Sequence, residues 1–205
     1  MLIFQVGLNK SATTSIHDFF KLLGLNSVKY VIGNREILHL FWLMKYQKLE
    51  VEVLRNYQCF TDFVDINNLQ QFETSLEVIK FLKNKFPKAK FILNIRNIDE
   101  WLLSRMNHYY KYAPTVGYMK EETFPEQLKQ EKKFWYRWHY EIYNLFENEP
   151  ERLLTVHIEK DNSAEKIAAF LGYEDTLHKK LPASNVTRNL QKSHHFPKLP
   201  ESTWW

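Results

Sequence analysis

Residues 3–20, IFQVGLNKSATTSIHDFF, constrain the fold more than any other stretch. An apolar run ends at Gly7, a loop of small and hydroxyl residues follows, and Ile16, Phe19, Phe20 and Leu23 then recur at helical spacing until Gly24. A buried strand that turns directly into a helix is the first half of a parallel-sheet unit. The loop lies where the N–H groups and the positive end of the helix point. Ser11, Thr13, Thr14 and Ser15 add hydroxyl donors, and Lys10 adds a mobile positive charge. The natural ligand of such a loop is a phosphate or a similar oxyanion. One such hydroxyl satisfies a helix cap, so four in five positions beside a lysine exceed what capping requires.

The rest of the chain repeats the alternation. Apolar runs at 28–32, 58–64, 90–95 and 153–158 predict strands, and KFILNI at 90–95 is the clearest of them. Between and beyond them, periodic segments at 35–47, 75–86, from near 99, at 127–147 and at 164–171 predict helices, the last closed by Gly172. The expected fold is α/β, a three-layer sandwich with a central parallel sheet and a P-loop-like strand–loop–helix. A length of 205 residues suits one domain spanning 1–205, with an irregular tail from about 181, where Pro182, Pro197 and Pro200 fall. There is one cysteine, Cys59, so neither an intramolecular disulfide nor a multi-cysteine zinc site is open to the chain.

The loop is not a nucleotide-triphosphatase loop. Laid on G-x-x-x-x-G-K-[ST] from Gly7, the second glycine becomes Ala12, the lysine Thr13 and the hydroxyl residue Thr14. The lysine stands three residues early, at Lys10, so an anion loop that does not transfer a γ-phosphoryl group fits better. A kinase with a modified P-loop, or a nucleotide-binding protein without catalysis, stays open as an alternative. The net charge of +4 suits a small anionic ligand as well as nucleic acid, but no basic–aromatic recognition motif supports the latter.

A second cluster is KFILNIRNIDEWLLSR. Arg96 follows directly on the strongest strand, and Ser104 lies eight residues later on the next helix. Ligands of open α/β sheets bind beyond the carboxyl ends of strands, and arginine there favours an anion through its planar fork.

Together the two segments resemble the PAPS-dependent sulfotransferases. NKSATTS is similar to that family's 5′-phosphosulfate loop, commonly PKSGTTS, and Arg96 with Ser104 is similar to its 3′-phosphate element. Softer likeness lies in residues 57–65, in RLLTVHIEK before a helix ending FLG, and in LPASNVTRN. The resemblance runs from residue 2 to about 190. It implies sulfuryl transfer from PAPS, leaving PAP, to a hydroxyl or amine of a small-molecule or carbohydrate acceptor, with no metal. It places Lys10 at the 5′-phosphate oxygens, where it offsets charge on the leaving PAP. Ser11, Ala12, Thr13, Thr14 and Ser15 would hold the 5′-phosphate. Arg96, Ser104 and Arg188 would hold the 3′-phosphate. Ala12 departs from the usual glycine, a substitution that strains the loop by about 1 kcal/mol wherever φ is positive.

The acceptor needs a base, and family members use a histidine or a carboxylate. Asp62, closing the strand QCFTDFV, is the choice here, with Asp65 second and His17 a weaker candidate. The first seven residues carry no basic leader, and no apolar run reaches the roughly 20 residues of a membrane helix. The expectation is a soluble, cytoplasmic protein without membrane or nucleic-acid partners. The acceptor and the oligomeric state are not written in the sequence.

Overall fold

The computed structural model describes residues 1–47, 55–64, 66–116, 124–160, 162–173 and 180–183. Five parallel strands form the sheet: β1 (Ile3–Gln5), β2 (Ser27–Lys29), β5 (Cys59–Thr61), β6 (Lys90–Ile95) and β7 (Leu153–His157), in the order β2-β5-β1-β6-β7. Two short strands, β3 (Val31–Ile32) and β4 (Arg35–Glu36), pair antiparallel outside it. The helices are α1 (Thr13–Leu22), α2 (Ile37–Gln47), α3 (Leu69–Lys85), α4 (Ile98–Val116), α5 (Phe124–Leu145) and α6 (Ser163–Leu171).

Alternation along each strand divides the core into two halves. Ile3, Cys59, Ile92 and Val156 meet Ile16, Phe19 and Phe20 of α1 and Ala164, Ile167 and Ala168 of α6. Phe4, Phe60, Phe91 and Leu93 meet α2, α3, α4 and α5 through Phe41, Phe72, Trp101 and Trp138. A sheet with an apolar core on each face is the three-layer sandwich expected from the sequence.

The differences from expectation have local causes. The run at 28–32 is two strands, because Tyr30 adopts φ +61 and breaks it into β2 and β3. Helix α3 starts at Leu69, six residues earlier than its apolar periodicity begins, because Asn68 caps it by accepting from the Gln71 N–H at 2.9 Å.

The topology fixes where a ligand can sit. From β1 the chain crosses to β2 on one side, whereas β6 lies on the other, so connections diverge at the carboxyl end of β1. That end is the crevice of a doubly wound sheet.

Candidate active site

Four strands deliver side chains to this crevice. The loop after β1 carries Lys10, β2 ends in Lys29, Asp62 follows β5, and Arg96 follows β6. Backbone strain collects here as well. The four non-glycine residues with positive φ among those described are Lys10 (66°), Ala12 (61°), Tyr30 (61°) and Asp62 (58°), all within this cluster or next to it. Such clustering is typical of sites where the surroundings force a conformation the chain would not choose.

The loop takes its shape from buried amides in the two central strands. Gln5 and Asn94 are both fully buried. The Gln5 amide donates to Gly7 O at 2.8 Å and to Asn94 Oδ1, and its oxygen accepts from the Asp62 N–H at 2.9 Å. Asn94 in turn donates to Ser11 O. A Cβ on Gly7 would run into the Asn94 side chain and carbonyl, so glycine is needed there for close approach. Lys10 and Ala12 are left-handed while Ser11 between them is not. Alternation of that kind curls successive N–H groups around a concavity suited to an anion. From outside, Trp101 Nε1 donates to Asn9 O at 2.8 Å and the Arg105 guanidinium to Asn9 Oδ1 at 2.6 Å.

Each residue singled out in the sequence has a definite place. Lys10 is half-buried, with Nζ 3.4 Å from Nδ1 of His108. Its ammonium is held below the ordinary lysine range, chiefly by burial and further by Arg105, Lys29 and Arg96, against the opposing pull of Asp62. Ser11, Thr13 and Ser15 are buried, and Ala12 is the N-cap of α1. Thr13 Oγ1 donates to Asp62 Oδ1 at 2.9 Å, and Thr14 Oγ1 accepts from Lys29 Nζ at 2.6 Å. Arg96 donates to Lys10 O at 3.4 Å and pairs with Glu100 at 3.2 Å and Glu159 at 3.7 Å. Ser104 is partly exposed, two turns into α4. Arg188 and Asp65 lie outside the described residues. His17 faces Ser27, with Nδ1 2.8 Å from its hydroxyl, and burial lowers its pKa.

Sequence reasoning missed Lys29, Gln5, Asn94 and Arg105. Gln5 and Asn94 left a signal, since each is a lone amide inside an otherwise apolar strand, and buried amides need partners. Lys29 left none, because its role depends on β2 lying beside β5 with Lys29 in register with Thr61.

The arrangement offers a cradle of donors at a helix start, two ammonium groups, a guanidinium and one carboxylate beyond the ends of adjacent strands. It can bind a polyanion and accept a proton. Among the described residues no group of three or more His, Cys, Asp or Glu is placed to hold a metal ion, and no helix is long and apolar enough to cross a membrane.

Comparison with known proteins identifies a family and a similar fold. The profile of a family described as "Sulfotransferase domain" matches residues 2–162. Comparison with curated proteins yields no match. Among 17 matching chains of solved structures is the crystal structure of a sulfotransferase from Alicyclobacillus acidocaldarius. It superimposes with a TM-score of 0.53 at 13% identity, over 89% of this chain and 84% of that one.

Proposed function

The chain belongs to the sulfotransferase domain family, and from that premise we propose that it moves a sulfuryl group from PAPS to a hydroxyl or amine of a small-molecule or carbohydrate acceptor. The observation that carries this reading is the convergence of Lys10, Asp62 and Arg96 on the strained loop, through bonds that run between three separate strand ends.

Lys10 and the donors of Ser11, Ala12, Thr13, Thr14 and Ser15 bind the 5′-phosphate end of the donor. Burial disfavours the Lys10 ammonium, and an anion beside it offsets that cost. Arg96 and Ser104 bind the 3′-phosphate. The carboxylates now paired with Arg96 are substantially exposed, and surface pairs of that kind are worth at most about 1 kcal/mol, so a phosphate displaces them readily. Arg188 is proposed as a further ligand of that phosphate.

In the transfer, the acceptor oxygen or nitrogen bonds to sulfur as the bond from sulfur to the 5′-phosphate oxygen breaks. The electron pair stays on PAP, and the acceptor proton passes to Asp62. Such a loose transfer is catalysed mainly by positioning and charge stabilisation.

Thermal unfolding tests the donor. PAP at about 100 times its Kd should stabilise by ~2.7 kcal/mol and raise Tm by roughly 5–10 °C. ADP, lacking the 3′-phosphate, should give little shift, and Arg96→Ala should abolish the response to PAP. Stabilisation by Mg-ATP alone would overturn the reading in favour of a kinase.

A further inference from the structure

One cation at the loop has no part in the transfer described above. Lys29 closes β2 in register with Thr61, the residue before Asp62. Its ammonium is 2.6 Å from Thr14 Oγ1 and 3.9 Å from Asp62 Oδ2, with a side chain only 28% exposed. It is thus drawn inward to the first turn of α1 rather than extended into water.

A cation is electrostatically disfavoured at that position. A helix N-terminus carries partial positive charge, and cations there are disfavoured. Lys10 lies in the same field, and the charge of Lys29 makes its ammonium less favourable. Arg96 has Glu100 and Glu159, and Arg105 has Glu131. The carboxylate reached by Lys29 is Asp62, which also acts on Lys10 and accepts from Thr13. Two ammonium groups at a positive helix end, with one carboxylate between them, form a site that gains from an arriving dianion. A phosphosulfate carries two negative charges, one on each half.

We propose that Lys29 is a second cation of the transfer centre, binding the sulfonate oxygens of the donor while Lys10 serves the phosphate side. This rests on the PAPS reading above. Lys29 touches both Thr14, on the phosphate-binding helix start, and Asp62, which takes the acceptor proton, so it stands between the departing and entering groups. The sulfonate must stay in line as the bond from sulfur to the PAP oxygen breaks and the bond to the acceptor forms. An ammonium fixed at two anchors holds the sulfonate oxygens in that line and lessens the repulsion between two anionic groups and the entering nucleophile.

The test needs no known acceptor. Calorimetric binding of PAP and of PAPS is measured alongside slow hydrolysis of PAPS to PAP and inorganic sulfate, in which water takes the acceptor's place. Lys29→Met should weaken PAPS more than PAP and slow hydrolysis about 100-fold, the size of a misplaced reacting group. Lys29→Gln, which keeps a donor for Thr14 without the charge, should behave alike and serves if the Met variant does not fold. Lys29→Arg should recover part of the rate. Arg96→Met should weaken PAP and PAPS equally.

The proposal is overturned if the neutral variants hydrolyse PAPS at the wild-type rate. It is also overturned if they lose PAP affinity as much as PAPS affinity, or if Lys29→Gln too fails to fold. A wild-type protein that binds neither PAP nor PAPS overturns the donor reading and this proposal with it. Tight binding of both with an inert Lys29 overturns this proposal alone.

Discussion

Thr13 Oγ1 donates to Asp62 Oδ1 at 2.9 Å, tying the first turn of α1 to the end of β5. The contact exists because Asp62 leaves the strand at φ +58, a conformation aspartate tolerates better than most residues, and because Gln5 accepts its N–H. The carboxylate is held at the seam between the phosphate loop and the crevice. Asp62→Asn keeps the shape and the bond to Thr13 but removes the proposed base. Turnover should fall by about 10²- to 10⁴-fold, while PAP still shifts the melting temperature as it does in the wild type. Single-turnover rates checked against thermal unfolding decide the point. A variant that turns over normally would make Asp62 a structural strand-end residue.

Ala12 sits at φ +61, ψ +32 as the N-cap of α1 and makes no side-chain capping bond there. Its Cβ bears the left-handed strain. Ala12→Gly should therefore stabilise the protein by about 1 kcal/mol, somewhat less after the added chain entropy of glycine, and raise Tm by roughly 2–4 °C. Urea denaturation should show a higher midpoint at an unchanged slope. A lower midpoint would mean that the Ala12 methyl packs usefully against the loop.

The fold was legible because strand and helix periods were clean. KFILNI is β6 to the residue, and the helix beginning at Thr13 follows the strand ending at Gln5 as the pattern requires. The strand–loop–helix from β1 to α1 was legible too, since its residues are contiguous. What the sequence hid was everything that depends on neighbours distant in the chain. Lys29 reaches Thr14 only through the order of the strands, and Arg105 reads as a surface helix charge until α5 covers it. The left-handed φ of Ala12 is also invisible in sequence, because it arises from bonds that Gln5 and Asn94 make around the loop.

Arg105 clamps the loop from beneath. It is 3% exposed, donates to Asn9 Oδ1 at 2.6 Å and Asn67 Oδ1 at 2.9 Å, and pairs with buried Glu131 at 2.7 Å. Arg105→Met removes a buried partner of the Glu131 carboxylate and should cost about 3–5 kcal/mol. Arg105→Met with Glu131→Met should regain most of that stability, since apolar replacements of buried pairs are often neutral. The double variant should nonetheless bind PAP more weakly than wild type, because Asn9 has lost its hold. Stability recovered together with full PAP affinity would show the pair to be structural only.

His139 should make the protein acid-labile. Its ring lies against Trp135, with centroids 4.1 Å apart, and is 6% exposed. Nδ1 is 2.6 Å from Trp135 O, which makes it the protonated nitrogen of the neutral ring. Burial pushes the pKa down to about 4, with His157 adding to the fall and the Trp135 carbonyl opposing it. Between pH 6.5 and about 4 the unfolded chain therefore binds a proton that the folded protein refuses. Stability is complete above pH 6.5 and declines as the pH falls toward 4, by up to about 3 kcal/mol from this group. His139→Gln, which cannot titrate, should flatten that decline. Urea midpoints taken across this range for both proteins measure it directly, and parallel pH profiles would assign the acid sensitivity to groups other than His139.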